Sequence, residues 1–255
     1  MQLNYLERGE GEPVVLLHGL FGSAANWHGI ARRMQKRFHI LAPDLRNHGR
    51  SPHDAHMDYP AMADDILELV DAKGLDQICL VGHSMGGKAA MCLALAQPQR
   101  IWGLVVADIA PVAYDHDFSG LLDALEAIPL ESLDNRTAAD QALAHSLASE
   151  TLRGYLLQNL IKENGRWAWR VNLPVLRREM ANIVGFPDQP QDQQFPGNAL
   201  FLYGEHSDYL TTENAKVARR LFPYARLRMI PEAGHWVFSE APEIFVDTLN
   251  SFLPG

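Results

Sequence analysis

Apolar residues recur along this chain in two rhythms. Short uninterrupted runs, VVLLH (14–18), HILAP (39–43), ICLVG (78–82), GLVVAD (103–108), ALFLY (199–203) and RLRMI (226–230), read as strands. Several are apolar at consecutive rather than alternate positions. That marks strands covered on both faces, as in a parallel sheet with helices on each side. The second rhythm is helical. In PAMADDILELVDAKG (60–74), Met62, Ile66, Leu69 and Val70 share one face, with Pro60 near the start and Gly74 just past the end. SMGGKAAMCLALAQ (84–97) is apolar nearly all round and stops before Pro98, which predicts a buried central helix. A last helix is predicted over about 241–252. Strands alternating with helices predict a doubly wound, mostly parallel α/β sheet.

The alternation stops between about 113 and 190. There the pieces FSGLLDALEAI (118–128), RTAADQALAHSLA (136–148), TLRGYLLQNLI (151–161) and PVLRREMANIV (174–184) read as helices. NGRWAWRVN (164–172) reads as a turn followed by an extended stretch. So many residues between two strands exceed an ordinary connection. The expected organisation is a core domain of residues 1–112 and 191–255, interrupted by a helical cap over 113–190.

Composition narrows the class. The chain has 255 residues, 47% of them hydrophobic, which is enough for a sizeable core and within the range of one domain. Its net charge of −9 argues against nucleic acid or an anionic membrane as the main partner. Cys79 and Cys92 lie in apolar surroundings and are expected to be buried free thiols in a reducing compartment. MQLNYLERGEGEP at the start has neither a basic nor an apolar signal region, and no apolar span of membrane length occurs. A cytoplasmic location is expected.

The candidate chemistry begins at GHSMG (82–86), which follows an apolar strand and opens the buried helix. That is the setting of a nucleophile elbow, a sharp turn that projects the Ser84 hydroxyl. A serine hydroxyl needs a base. Among eleven histidines, His235 in PEAGHWVF follows the last predicted strand and precedes the last helix, at the strand edge where open α/β sheets place chemistry. His83 neighbours the nucleophile and should point away from it, and His53 and His56 lie in a polar loop. HGLFGS (18–23) follows the first predicted strand. Its Leu20 N–H, with the Met85 N–H, is the candidate oxyanion hole. No H-E-x-x-H or cysteine-rich pattern suggests a metal.

With HGLFGS and GHSMGGKAAM (82–91), the stretches DLRNHGRS (44–51), DIAPVAY (108–114), WRVNLPVL (169–176) and AGHW (233–236) make the chain resemble the α/β-hydrolase superfamily, and more closely the small bacterial YbfF-type esterases. The resemblance covers nearly the whole chain, including the cap. It implies an ester or thioester hydrolase with a Ser–His–Asp triad and no cofactor. It also implies an acid three residues after a glycine that follows ALFLY, but counting from Gly204 puts Ser207 there and Asp208 comes one later. The rival is Asp108, at the end of GLVVAD, since parts of the superfamily carry the acid on that strand. A charge at the end of an apolar strand also needs a partner. Asp108 is the preferred acid and Asp208 the alternative. Arg46 and His48 are expected to brace their loop, with lining of the pocket mouth as the alternative, and Asp44 is a candidate partner for either. Trp167 and Trp169 are expected to fill the cap core, with a cap lip as the alternative.

The expected function is a serine carboxylic-ester hydrolase acting on small to medium lipophilic acyl esters through an acyl-enzyme. An acyl-CoA thioesterase, a C–C bond hydrolase or a cofactor-free haloperoxidase would use the same residues. A ligand receptor or interaction module on this fold is the non-enzyme alternative. The expected partner is a small-molecule ester or thioester.

Overall fold

The computed structural model describes residues 1–253. The chain enters through β1 (Tyr5–Arg8), β2 (Glu12–Leu17), α1 (His28–Met34), β3 (Phe38–Pro43), α2 (Tyr59–Ala72), β4 (Ile78–His83), α3 (Met85–Ala96) and β5 (Ile101–Ala107). An insert follows: α4 (Ser119–Glu126), α5 (Arg136–Ala144), α6 (Glu150–Leu157), β6 (Leu160–Glu163), β7 (Arg166–Trp169), α7 (Leu173–Arg178) and α8 (Met180–Val184). The chain then returns through β8 (Ala199–Gly204), α9 (Thr212–Leu221), β9 (Arg226–Ile230), α10 (Val237–Glu240) and α11 (Pro242–Phe252).

The main sheet has seven strands in the order β1-β3-β2-β4-β5-β8-β9. All neighbours are parallel except β1, which pairs antiparallel with β3. The uninterrupted apolar runs are explained by burial on both faces. In β4, Ile78 and Leu80 join the core on the side of α2 and α3, while Cys79 and Val81 join the core on the side of α1 and α11. Both cysteines are buried and free. Because β2, β4, β5, β8 and β9 run the same way, the loops after them all emerge at one edge of the sheet. HGLFGS, Ser84, Asp108, Ser207 and His235 lie in those five loops.

Several elements differ from the hydrophobic pattern. The helix read through Ile161 ends at Leu157, and Leu160–Glu163 instead pairs with Arg166–Trp169 as a hairpin. Asn164 and Gly165 join the two strands with φ of 50° and 81°, a two-residue turn for which Asn-Gly is the preferred pair. The turn signal outweighs a helical pattern that was already running out. β1, YLER, is too short and polar to show as a strand, and it is recruited only as the sheet's antiparallel edge. α1 and α9 also go unread, since α9 is largely polar and buries only Ala215, Ala218 and Leu221.

The insert crosses the carboxyl edge of the sheet and is tied to it by hydrogen bonds. Tyr155 and Asn159 reach the HGLFGS loop, the Tyr59 hydroxyl donates to the Ile183 carbonyl, and Asn172 N–H donates to the Asn47 carbonyl at 3.0 Å. Trp169 is partly buried and donates its indole N–H to the Leu125 carbonyl at 3.1 Å, while Trp167 lies under the Lys162 ammonium. Among the described residues, no helix is long and apolar enough to cross a membrane.

Candidate active site

Ser84 occupies the turn between β4 and α3 with φ 52° and ψ −120°, a backbone conformation that L-residues rarely adopt. The turn is that tight because strand and helix nearly touch. A Cβ on Gly82 would lie 2.3 Å from the Gly86 carbonyl oxygen, and one on Gly86 would lie 2.4 Å from that of Leu17. Glycine inside a helix costs roughly 1 kcal/mol relative to alanine, and here the close approach of backbones explains its use. The strain leaves the serine facing a cavity whose walls include Leu20, Met85 and Lys88.

Asp108 is the residue after β5, also with positive φ, 54°, and its backbone N–H donates to the Leu202 carbonyl at 2.7 Å. Its side chain is fully buried. Oδ2 lies 2.7 Å from His235 Nδ1 and accepts from the Ser207 hydroxyl, while Oδ1 accepts from the Gly204 N–H at 3.0 Å. A buried carboxylate with three donors is a satisfied one. With Asp108 on Nδ1, that nitrogen carries the ring proton and Nε2 is left free to accept. Tyr209 stacks on the His235 ring at 4.1 Å between centroids, and His83 holds the His235 carbonyl through Nε2 at 2.9 Å. His83 is itself buried, and burial drives its imidazole well below the ordinary range, so it is a neutral donor. Asp208 is exposed and takes no part in this network. His53 and His56 are also exposed and are bonded elsewhere, to the Arg170 carbonyl and to Asp58.

The HGLFGS loop is clamped from two sides. From the core, His48 Nε2 accepts the Phe21 N–H at 3.1 Å, and its Nδ1–H donates to the Arg46 carbonyl. His18 Nε2 accepts the Leu45 N–H at 2.9 Å, and its Nδ1–H donates to the Gly19 carbonyl. Each ring both donates and accepts, which only a neutral imidazole can do. Burial agrees: it lowers the His18 imidazole from its ordinary value and pushes that of His48 down to about 3. From the insert, the Tyr155 hydroxyl donates to the Leu20 carbonyl at 2.9 Å and Asn159 Nδ2 to the Phe21 carbonyl at 2.7 Å. Gly19 leaves room for the elbow, since a Cβ there would stand 2.9 Å from His83 Nδ1 and 3.2 Å from Ser84 Cβ. Leu20 therefore borders the cavity, opposite the first residue of α3, Met85, whose N–H lies among those that a helix start leaves without an intrahelical partner.

Sequence reasoning placed Ser84, His235, Asp108, Leu20 and Met85 at one site, and the structure brings them to one sheet edge. It corrects the partner of Asp44, which bonds neither Arg46 nor His48. Asp44 instead accepts the N–H groups of Ala24 and Arg50 and the Asn4 amide, while Arg46 pairs with Asp65 at 2.6 Å. The bracing roles of Arg46 and His48 hold. Ser207, Tyr209, Tyr155, Asn159 and Lys88 went unassigned. Only Ser207 carried a signal, by standing where an acid was expected.

Comparisons with known proteins agree with this fold. A family model described as alpha/beta hydrolase fold matches residues 12–242. The chain is 39% identical over 251 residues to a Xenopus laevis protein named sn-1-specific diacylglycerol lipase ABHD11, covering 95% of this chain and 80% of that one. It is 37% identical over 244 residues to Esterase YbfF of Escherichia coli strain K12, covering 94% and 92%. A solved structure titled marine microorganism esterase superposes with a TM-score of 0.95 at 37% identity, over 99% of both chains.

Proposed function

Because the chain belongs to the α/β-hydrolase family, among relatives named esterase and lipase, we propose that it hydrolyses carboxylic esters at Ser84, with His235 as base and Asp108 as acid. The protein is an ester hydrolase; the substrate range and the residue roles are the proposal. The observation that carries it is the 2.7 Å contact between Asp108 and His235 beside a serine held at φ 52°.

In this reading Ser84 Oγ attacks the acyl carbon while His235 Nε2 takes its proton. The imidazolium is stabilised by buried Asp108, and the carbonyl oxygen, now an oxyanion, is held by the Leu20 and Met85 N–H groups. As the tetrahedral intermediate collapses, His235 returns the proton to the departing alcohol and an acyl-Ser84 ester remains. A water then loses its proton to His235, attacks the acyl carbon, and releases the acid with Ser84 restored. Residues 113–190 act as a cap whose apolar side chains, such as Phe118 and Ile183, help enclose the acyl group. That lining favours small to medium lipophilic acyl chains.

The test joins a fluorophosphonate probe with a panel of p-nitrophenyl esters and acyl thioesters of graded chain length. The expected outcome is labelling at Ser84 and ester turnover that Ser84→Ala abolishes. Turnover that persists in Ser84→Ala refutes the assignment.

A further inference from the structure

The loop after β8 puts no acid on His235, but it does put a ring there. Tyr209 lies flat against the imidazole, with ring centroids 4.1 Å apart and planes 19° from parallel. Its place is fixed by the backbone. The Tyr209 carbonyl accepts from the Tyr114 hydroxyl at 2.7 Å and from Asn214 Nδ2 at 3.0 Å, and its N–H donates to Ser207 Oγ at 3.3 Å. The Tyr114 hydroxyl in turn accepts the Ala110 N–H at 2.9 Å, so it joins the chain after β5 to the loop after β8. The Tyr209 ring also meets the Tyr114 ring, tilted at 5.1 Å, and His116, edge-on at 4.9 Å.

A histidine ring turns easily about its Cβ–Cγ bond, where the torsion is broad and roughly two-fold. The bond to Asp108 fixes one corner, Nδ1, and leaves the ring able to swing about it. A flat neighbour closes that freedom. It also acts electrostatically. An aromatic face is negative, so a cation stacked on it is favoured, and more so when water is excluded. Imidazolium is the form His235 takes while the tetrahedral intermediate exists. Its ring is faced by Asp108 from the chain after β5, His83 from β4, Tyr209 from the loop after β8 and Trp236 from its own loop. Burial keeps His83 neutral, and Trp236 meets the imidazole at 62° rather than stacking on it. Asp108 thus supplies the charge and Tyr209 the stacked aromatic face. Burial, then the charges of Asp108 and Asp208, push the Tyr209 phenol up to about 12, so that face stays neutral.

We propose that Tyr209 is a positioning residue for the general base: stacked on His235, it holds the imidazole in line between Asp108 and Ser84 and favours its charged form. The inference rests on the ester-hydrolase reading and adds one residue to that site. Tyr209 also borders the cavity, so the competing role is a plain wall against the substrate.

The experiment follows kcat, KM and the pH profile of p-nitrophenyl ester hydrolysis in Tyr209→Phe, in Tyr209→Leu, and with mono-, di- and pentafluorinated phenylalanines at the same position. The fluorinated series keeps the ring's shape while draining its face of negative charge. Tyr209→Phe should keep kcat within about twofold. Along the fluorinated series kcat should fall stepwise, by about tenfold at the pentafluorinated ring. The base works when neutral, and a contact that favours its charged form sets the rise of kcat/KM at higher pH. The midpoint of that rise should therefore move to lower pH along the series, by about half a unit or more. Tyr209→Leu should lower kcat by about fivefold to thirtyfold. A series flat in kcat and in midpoint, or one that moves KM alone, overturns the inference, as does Tyr209→Phe turning over as slowly as Tyr209→Leu. Should the leucine variant fail to fold, the fluorinated rings, close to the native one in size, still decide. Ester turnover at Ser84 with a flat series sinks this inference alone. No ester turnover in the unaltered protein, with no fluorophosphonate label at Ser84, removes the ester-hydrolase reading and this inference with it.

Discussion

The loops after β5 and β8 stand side by side at the sheet edge, and each offers an aspartate. Asp108 follows its strand immediately, is fully buried and reaches His235, while Asp208 is exposed. The difference lies in what surrounds them. Asp108 has three donors waiting, one of them the Ser207 hydroxyl, which stands where the loop after β8 would otherwise place an acid. The two loops therefore cooperate, with β5 supplying the charge and β8 supplying groups that hold it. A carboxylate's value here comes from burial and partners more than from its place in a motif.

The comparison breaks most visibly at Asp108. Asp108→Asn keeps the shape but favours the wrong imidazole tautomer, and kcat should fall by about 10⁴-fold. Steady-state ester kinetics check this, and a loss under tenfold contradicts the assignment. Adding Ser207→Asp to that variant puts a carboxylate back within reach of His235 from the other loop. It should recover about tenfold or more of the lost kcat, because the general base again has an acid partner. Ser207→Ala alone removes one charge-assisted hydrogen bond and should lower kcat about tenfold, in line with roughly 1.5–3 kcal/mol for such bonds. Asp208→Asn is the smallest effect and should leave kcat within about twofold, as expected for a surface substitution.

Histidines divide in a parallel way, since the proposed mechanism has His235 gain and lose a proton while His18 and His48 stay neutral. Both buried rings have folded-state pKa values below the ordinary value of 6.5, that of His48 at about 3. A depressed folded pKa means the unfolded chain binds more protons at mildly acid pH. The stability these rings contribute is complete above about pH 6.5 and is lost as pH falls below it, for His48 as pH falls toward 3. Thermal or urea unfolding should therefore show stability falling by up to about 1.4 kcal/mol per pH unit for each ring below about pH 6.5. His48→Asn should be less stable near neutrality but should show a shallower fall. A slope unchanged by that substitution would mean that His48 is not held neutral.

The sequence made the sheet legible because burial on both faces writes strands as unbroken apolar runs, and the elbow legible because Gly82 and Gly86 have no substitute at their backbone contacts. Asp108 could be favoured because a charge ending an apolar strand demands a partner. β1, α1 and α9 were not legible, since each borrows its stability from neighbours and shows little pattern of its own. Tyr155 and Asn159 were hidden for another reason. They act across more than 130 residues of chain, as hydrogen bonds from insert side chains to the carbonyls of Leu20 and Phe21. Nothing local marks a tyrosine or an asparagine for that role.

Those two hydrogen bonds bear on how freely the insert can be exchanged. A cover that only closed over the cavity could be traded between relatives to alter substrate range, as one changes a lid. Here the insert grips the same loop that carries Leu20, the proposed oxyanion donor, so a transplant arrives with its own setting of that loop. A chimera that imports a foreign insert must bring counterparts of Tyr155 and Asn159, or it will change turnover on every substrate before it changes selectivity among them.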